Sequence, residues 1–294
     1  MAEPALLAVP AAVARRDRKA QFLRFARRNP TMVIGAAILI FMAVAAILAP
    51  LFAGDALTMQ PVNRLKPPSA ENWFGTDNLG RDVFARTIYG AQISLLVGLS
   101  VAAISVALGL AIGLTAGTNR RLDGPIMRVM DGVMAIPAIL LAIALVSLSR
   151  ASVGIVIVAI VIPEVPRVVR LVRAVVLTVR EQPFVEAAIA GGSRRAKILI
   201  RHILPSTVAP LIVQATYVCA SAILVESALS FLGAGTPPEI PTWGNMIASS
   251  RLFLSRAPWT IFFPGACLAI VVLAVNLLGD GLRDRLDPRL ARRM

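Results

Sequence analysis

Long apolar runs separated by shorter polar stretches dominate the chain. Six of these runs reach roughly the 20 residues that a helix needs to cross a bilayer. They cover residues 32–52, 93–117, 127–148, 151–169, 207–234 and 260–279. The fourth run is the weakest, because its continuous apolar part ends at Pro163 and the charged Glu164 and Arg167 follow. The pattern predicts an all-α, polytopic integral membrane protein with six transmembrane helices.

Basic residues are unevenly distributed between the stretches that separate these runs. Of the 30 Lys and Arg residues, 23 fall in segments 1–31, 118–128, 164–204 and 281–294, and seven fall in the alternate segments. Since cytoplasmic loops carry an excess of Lys and Arg, this bias places both termini in the cytoplasm. The net charge of +14 is therefore interpreted as an orientation signal and not as a sign of nucleic-acid binding.

The chain has little of the chemistry that an enzyme needs. His202 is the only histidine, which excludes a multi-histidine metal site and leaves no Ser-His-Asp relay away from it. No lysine stands in a GK[ST] phosphate loop, and Cys219 and Cys267 lie in apolar runs without a CxxC spacing. We expect no catalytic residue, no metal and no cofactor bound by this chain, so any ATP must be bound by another protein.

A polar interruption at residues 181–205 separates the fourth and fifth apolar runs. Residues 184–190 are alanine-rich and favour helix, and the glycine pair at 191–192 loosens the backbone. A second short helix is expected to be capped by Ser193 and to end at Leu204, before a proline. On physical grounds alone, the interruption also fits a loop whose arginines only anchor its neighbours to lipid headgroups.

Three further stretches carry turn-rich sequences. WFGTDNLGRDVF begins at Trp73, within the first outer segment (53–91), and fits either an aromatic anchor with an Asx-type turn or a docking or gating surface. SFLGAGTPPEIPTWG at 230–244 is rich in proline, which excludes regular helix there and leaves a lid or a spacer. NLLGDGLRDRLDPR at 276–289 contains two glycines that are expected to end the last helix.

These motifs resemble one family of transport proteins. Residues 186–205 match the EAA loop of ATP-binding-cassette importer permeases: Glu-Ala-Ala, three residues, glycine, nine residues, an aliphatic residue, any residue, then Leu-Pro. The matching residues are Glu186, Ala187, Ala188, Gly192, Leu204 and Pro205, with His202 at the aliphatic position and Ile203 beside it. With the other three motifs in the same order, the chain resembles the shorter C-type subunit of the dipeptide and oligopeptide permeases over about residues 22–289.

The resemblance implies a type I importer permease fold in a bacterial plasma membrane. It divides the chain into a cytoplasmic tail (1–31), a first transmembrane helix with an extracytoplasmic loop (32–91), a core of five transmembrane helices (92–280) that contains the EAA loop (181–205), and a C-terminal tail (281–294). A second homologous permease subunit would complete a passage for di- or oligopeptides. Two ATPase subunits, or one with two nucleotide domains, would carry ATP and Mg, and an extracytoplasmic binding protein would deliver substrate.

The same resemblance and the cost of polar groups in a membrane select the candidate site residues. The EAA residues named above are the candidates for coupling to the ATPase, in which Glu186 would be a charged anchor and the alanines a contact surface. Candidates that line the passage are Glu226, Gln214 and Asn276, and candidates for binding-protein docking are Trp73, Asp77, Arg81, Asp82 and Trp243. Asp131 is interpreted as a carboxylate at the start of a helix, and Glu164 as the partner of a local arginine.

Several alternatives stay open at this point. Small residues in the second run allow close helix contact, either within the chain or across a dimer. The same architecture also carries nickel complexes or glutathione. An ion-driven secondary transporter and a non-transporting membrane scaffold are the alternatives from other classes, although no internal repeat of the kind found in secondary transporters is evident.

Overall fold

The computed structural model describes residues 26–27, 29–148 and 152–286. Within these ranges all regular elements are helical, and the β structure consists of an isolated bridge between Thr76 and Asp82. The Lys and Arg residues at positions 1–25, 28, 150 and 287–294, which contribute to the predicted orientation, lie outside the described residues. The predicted all-α class is confirmed.

Ten α-helices follow one another along the described chain. They are α1 (Pro30–Phe52), α2 (Val83–Thr118), α3 (Arg120–Met134), α4 (Ala138–Ser147), α5 (Val153–Arg180), α6 (Pro183–Ala190), α7 (Arg195–Ile198), α8 (Leu204–Phe231), α9 (Trp243–Ser250) and α10 (Trp259–Leu286). A π-helical turn, Leu199–Ile203, joins α7 to α8, and 3-10 turns cover Pro61–Asn63 and Arg251–Phe253. The second span thus begins at Val83, ten residues before the predicted start.

Four helices are long and apolar enough to cross a membrane. They are α1, α2, the continuous helix Arg195–Phe231 and α10, and the bent pair α3 and α4 would make a fifth span. Helix α5 is long enough as well, but Glu164, Arg167 and Arg170 interrupt its apolar sequence. Composition and length therefore support four or five of the six predicted spans directly.

Helix α5 is longer than the fourth apolar run. It continues through Pro163 to Arg180, whereas the span was expected to end near residue 169. Glu164 of α5 forms an ion pair within the same helix, since Arg167 Nη1 lies 2.8 Å from Glu164 Oε1. Ser221 Oγ of α8 donates to the same oxygen at 3.1 Å. The predicted local ion pair is confirmed, and it lowers the cost of carrying charge in an apolar helix.

The third apolar run does not form the single span that was expected at 127–148. Helices α3 and α4 meet at a bend of 83°. Pro137 explains the break, because it lacks the amide hydrogen of a continuing helix and disfavours helical backbone at the residue before it. It instead takes the position just before α4.

Two ion pairs attach α3 to α5. Asp123 accepts two hydrogen bonds from Arg173, at 2.5 and 2.6 Å, and Asp131 accepts one from Arg170 at 2.5 Å. Asp131 lies near the end of α3 and not at a helix start, so the interpretation of its carboxylate as a favourable N-terminal charge was wrong. The charged sequence of α3 is explained by the arginines of α5 that it meets.

The core forms where α2 packs closely against α5 and α8. A Cβ on Gly109 would lie 2.5 Å from Cβ of Val168 in α5, and a Cβ on Gly113 would lie 2.7 Å from Cβ of Val172. Only glycine allows backbones to approach to this distance. Gly109 and Gly113 of the second run therefore make a contact within the chain.

Helix α10 packs on α1 and α8 and extends to Leu286. The expectation that Gly279 or Gly281 ends this helix was wrong. Both glycines are buried: a Cβ at Gly279 would lie 2.3 Å from Thr216 Oγ1, and one at Gly281 would lie 2.4 Å from Met32 Cβ. Their role is to let neighbouring helices approach.

The bundle has two ends with different contents. At one end, called the loop end, residues 53–82 and 232–258 connect the spans, and Trp259 Nε1 donates to the carbonyl oxygen of Thr76 at 3.3 Å. At the other end, called the EAA end, α2 and α5 finish side by side, and Arg180 Nη1 donates to the carbonyl oxygen of Gly117 at 2.8 Å. Residues 181–205, called the EAA segment, lie at this second end.

Candidate functional site

Helix α6 of the EAA segment ends in a defined glycine cap. Gly192 has φ +73°, the Ser193 N–H donates to the carbonyl oxygen of Ala188 at 3.0 Å, and the Gly192 N–H donates to that of Ile189 at 2.9 Å. These two bonds around a left-handed glycine form a Schellman motif. The glycine pair therefore closes α6 and is not the loose hinge that the sequence indicated.

The second half of the EAA segment is continuous with a membrane span. Helix α7, the π turn and α8 follow without a break. A separate helix capped by Ser193 and ended before Pro205 was expected, and this was wrong. Arg194 precedes α7 without a side-chain cap, and Pro205 follows the π turn as the second residue of α8.

Apolar side chains attach the EAA segment to the bundle. Val185 of α6, Ile198 of α7 and Ile203 of the π turn are buried. The rings of Phe184 and His202 lie with their centroids 6.0 Å apart. Ile203 thus supplies the buried aliphatic contact in a segment where His202 occupies the aliphatic position of the motif.

The exposed side of the EAA segment carries the candidate coupling residues. Ala188 and Leu204 are half-buried, and the other four are exposed. The full set is Glu186, Ala187, Ala188, Gly192, Leu204 and Pro205. The small alanines leave the backbone of α6 open to close approach by another chain. Coupling by these residues stays a prediction.

A cavity of about 1070 Å³ separates the EAA segment from the end of α2. Val185 and Ile189 provide apolar walls, and Arg120, Arg121 and Arg195 provide basic walls. Positive charge is thus concentrated beside the exposed face of α6.

The loop end contains a tightly folded turn at the WFGTDNLGRDVF motif. Asp77 Oδ1 accepts the N–H groups of Leu79 at 2.8 Å and Arg81 at 2.9 Å, which confirms the Asx-type turn. Gly80 has φ +75°, and a Cβ there would lie 1.9 Å from the carbonyl oxygen of Gln60. The motif therefore determines the conformation of this loop.

The docking candidates in this loop differ in exposure. Trp73 is 64% exposed, whereas Asp77 and Arg81 are buried against each other. Asp82 is half-buried and caps α2 by accepting the Phe84 N–H at 2.8 Å, and burial raises the pKa of its carboxyl group above the ordinary value. Asp77 and Arg81 therefore shape the loop from within, whereas Trp73 is exposed, and its contact with a binding protein stays a prediction.

Helix α9 lies between α8 and α10, in the stretch after the prolines. The prolines exclude helix as far as Pro241, and Thr242 Oγ1 then caps α9 by accepting the Asn245 N–H at 3.2 Å. Trp243, a docking candidate, is fully buried, and its Nε1 donates to the carbonyl oxygen of Thr87 at 3.0 Å. The tryptophan anchors α9 to α2.

The three candidates for the passage occupy different environments. Glu226 is fully buried and accepts a hydrogen bond from Ser230 Oγ at 2.8 Å. Gln214 is half-buried, and Asn276 is exposed on α10. Of these, Asn276 lies on the surface that another subunit or lipid would cover, and the assignment of all three to a passage stays a prediction.

Two groups of side chains near the site were missed in the sequence. Arg86 lies beside Asp77, with Nε 3.8 Å from Oδ2, although it is five residues beyond Arg81 in the first turns of α2. It is identifiable only as a charged residue in a membrane helix. The pair of Asp123 and Arg173 joins positions 50 residues apart and leaves no local sequence pattern.

Within the described part of the chain, no group of three or more His, Cys, Asp or Glu side chains is arranged to hold a metal ion. Cys219 and Cys267 are not joined in a disulfide bond.

Comparisons with known proteins agree with this architecture. Residues 105–292 match the family described as the inner membrane component of binding-protein-dependent transport systems, and residues 20–68 match the N-terminal transmembrane domain of oligopeptide transport permease C. A probable peptide ABC transporter permease of Sinorhizobium fredii is 60% identical over 271 residues, which cover 92% of this chain and 93% of that protein.

Two further relatives cover nearly the whole chain. The dipeptide transport system permease protein DppC of Alkalihalophilus pseudofirmus is 44% identical over 266 residues (90% of this chain, 88% of that protein). The oligopeptide transport system permease protein OppC of Bacillus subtilis is 36% identical over 276 residues (93% and 90%).

The fold has a counterpart among solved structures. A chain of the MetNI methionine ABC transporter in an inward-facing conformation superposes with a TM-score of 0.51 and 19% identity, covering 66% of this chain and 94% of that chain. This likeness concerns the fold alone, which is that of a type I importer permease. Because the first family match spans more than half of the sequence, the chain belongs to the inner membrane components of binding-protein-dependent transport systems, the permease subunits of ABC importers.

Proposed function

We propose that the chain is the C-type permease subunit of an ATP-driven importer of di- or oligopeptides in a bacterial plasma membrane. Permease subunits of this family are non-catalytic, and ATP is hydrolysed by separate subunits. The peptide cargo is supported by the relatives, which are named for peptide, dipeptide and oligopeptide transport. These names favour peptides over the nickel complexes or glutathione that the same architecture carries.

In this proposal, the EAA end faces the cytoplasm and both termini lie there. The excess of Lys and Arg in segments 1–31, 118–128, 164–204 and 281–294 supports this orientation, and the basic cavity beside α6 adds to it. The loop end then faces outward, where a binding protein delivers substrate. A second permease subunit completes the passage.

The observation that carries the proposal is the exposed helix α6, which is closed by a glycine cap and followed by a continuous helix into the membrane. ATPase subunits, with ATP and Mg bound to them, dock on this surface. Nucleotide binding favours one arrangement of the two permease bundles, and hydrolysis and release restore the other. An ion gradient is not required, which separates this proposal from a secondary transporter.

A charge reversal at Glu186 tests this coupling. In membrane vesicles that contain the assembled importer, Glu186→Lys should insert normally, but ATP-driven peptide uptake should fall about tenfold or more, since reversing a charge at a docking contact costs several kcal/mol. Glu181→Lys is the matched control: it reverses another exposed glutamate just before α6, outside the motif. Uptake by Glu186→Lys equal to that of the control would remove α6 from the mechanism.

A further inference from the structure

The loop end holds two buried guanidinium groups and one carboxylate to balance them. Arg81 and Arg86 are only 6% and 2% exposed. Their Nε atoms lie 2.7 and 3.8 Å from the same oxygen, Asp77 Oδ2. Arg86 Nη1 donates to the carbonyl oxygen of Ala56 at 3.2 Å. Since no second carboxylate of the described chain lies within ion-pair distance of either arginine, the pair carries an excess positive charge.

This excess charge is not explained by membrane orientation. The two connections at this end, residues 53–82 and 232–258, hold five of the 30 basic residues, so the loop end is poor in bases overall. Buried charges are normally paired, because a charge without a partner in a protein interior costs several kcal/mol. An arginine pair with half of its countercharge missing therefore indicates that an anion completes the arrangement.

Both arginines border a cavity of about 310 Å³. A third arginine, Arg251, also lines it and is exposed. Ser230 and Ser249 line it too, but their hydroxyls donate to Glu226 Oε1 and to the carbonyl oxygen of Met246. No Asp or Glu is among the described residues that line it. Three guanidinium groups around a cavity that no acidic residue lines are the chemistry of an anion site, and arginine matches a carboxylate with two parallel hydrogen bonds.

We propose that this cavity is a subsite for the C-terminal carboxylate of an incoming peptide. The inference rests on the proposed function, since it takes peptides to be the cargo. An unmodified peptide ends in a carboxylate whatever its side chains are, so recognition of that group suits a transporter of varied peptides. The cavity is at the lower end of the size range of ligand pockets, about 300 to 1000 Å³, and it therefore takes the end of a peptide and not a whole one.

The test compares a carboxylate with its amide on the full-length chain in lipid nanodiscs. The dipeptide Ala-Ala and Ala-Ala amide serve as probes, with binding followed by ligand-observed NMR. We expect Ala-Ala to bind at least about tenfold more tightly than the amide, or about 1.4 kcal/mol. Arg251→Gln should weaken this preference, since one of the three guanidinium groups is lost, and because Arg251 is exposed the variant should fold. Arg256→Gln, an exposed arginine of the same connection that does not line the cavity, should keep it.

Equal binding of the two probes to the unaltered chain, or an unchanged preference in Arg251→Gln, would overturn the subsite. Uptake of peptide by the assembled importer separates this result from failure of the proposed function. Uptake without a carboxylate preference leaves the function standing and removes the subsite, whereas absence of uptake for every peptide removes both. If Arg251→Gln instead lowers only the stimulation of ATP hydrolysis by the binding protein, the cavity receives a protein carboxylate, and the proposal is wrong.

Discussion

Replacing Gly109 by alanine tests the close contact between α2 and α5. The added Cβ would lie 2.5 Å from both Cβ and Cγ1 of Val168, well inside an ordinary carbon contact. Val168 is fully buried and branched at Cβ, so its side chain has little freedom to turn away. The helices must therefore move apart, or Val168 must leave its preferred rotamer.

Two opposing free-energy terms set the size of the effect. Alanine gains about 1 kcal/mol over glycine in a helix, and overpacking a well-packed core costs about 1 to 3 kcal/mol. The free energy of unfolding should therefore fall by up to about 2 kcal/mol. Gly132→Ala in α3 is the matched control, because no heavy atom lies within 4 Å of a Cβ there. This control variant gains the higher helix propensity of alanine without a steric clash of the added Cβ.

Thermal unfolding of the purified chain in detergent measures the difference. At about 2 to 4 °C per kcal/mol, Gly109→Ala should lower the Tm by several degrees, while Gly132→Ala should leave it unchanged or raise it slightly. In a double-mutant cycle, Val168→Ala should cost less in the Gly109→Ala background than alone, because it removes the methyl groups that collide. A Gly109→Ala protein as stable as the Gly132→Ala control would refute the close packing.

Two further substitutions address the EAA segment and the loop end. Gly192→Ala places a side chain at φ +73°, where an L-residue costs about 1 to 2 kcal/mol. Proteases should therefore cleave the EAA segment faster in Gly192→Ala than in the unaltered chain, and the cleavage rate of Gly192→Asn should lie between the two. Equal cleavage rates in all three proteins would contradict the glycine cap. Asp82→Asn keeps a side-chain cap on α2 and removes a carboxylate whose pKa burial raises. Burial disfavours ionised Asp82 only in the folded state, so the Asp82→Asn variant should be at least as stable as the unaltered chain at pH 7. This difference in stability should shrink as the pH falls toward 3.8, the ordinary pKa of the group, because the carboxyl group is then protonated in the folded state. A lower Tm for the variant at pH 7 would count against this account.

The apolar runs predicted the membrane helices well because lipid imposes a simple rule on sequence. A spanning segment must be apolar over its length, since its surface meets hydrocarbon. Helices α1, α2 and α10 follow this rule, and so does the fifth run.

Helix boundaries were predicted less well, because tertiary contacts override local stop signals. Gly279 and Gly281 resemble a helix end in sequence, but in the structure they are points of contact between helices. Glu164 and Arg167 resemble the edge of a loop, yet their mutual ion pair allows α5 to continue. The bend at Pro137 follows the local rule for proline and was missed because the apolar pattern continues across it.

The exposure of candidate site residues could not be obtained from motif matching alone. Asp77, Arg81 and Trp243 stand in motifs at the loop end, but burial assigns them to the framework of that end. Glu186 and Ala187 were predicted as a contact surface and are exposed. A motif identifies which residues matter, whereas their burial decides whether they contact a partner or hold the loop in shape.

The unbroken helix from Arg195 to Phe231 joins the two faces of the membrane mechanically. Its 37 residues extend over about 55 Å at a rise of 1.5 Å per residue. One tip follows directly after α6 and its glycine cap, and the other tip includes Ser230, beside the arginine cavity. For a rod of this length, a tilt of about 5° at its base displaces the far tip by about 5 Å. A small rotation on one side of the bilayer is thus amplified into a movement large enough to open or close a cavity on the other.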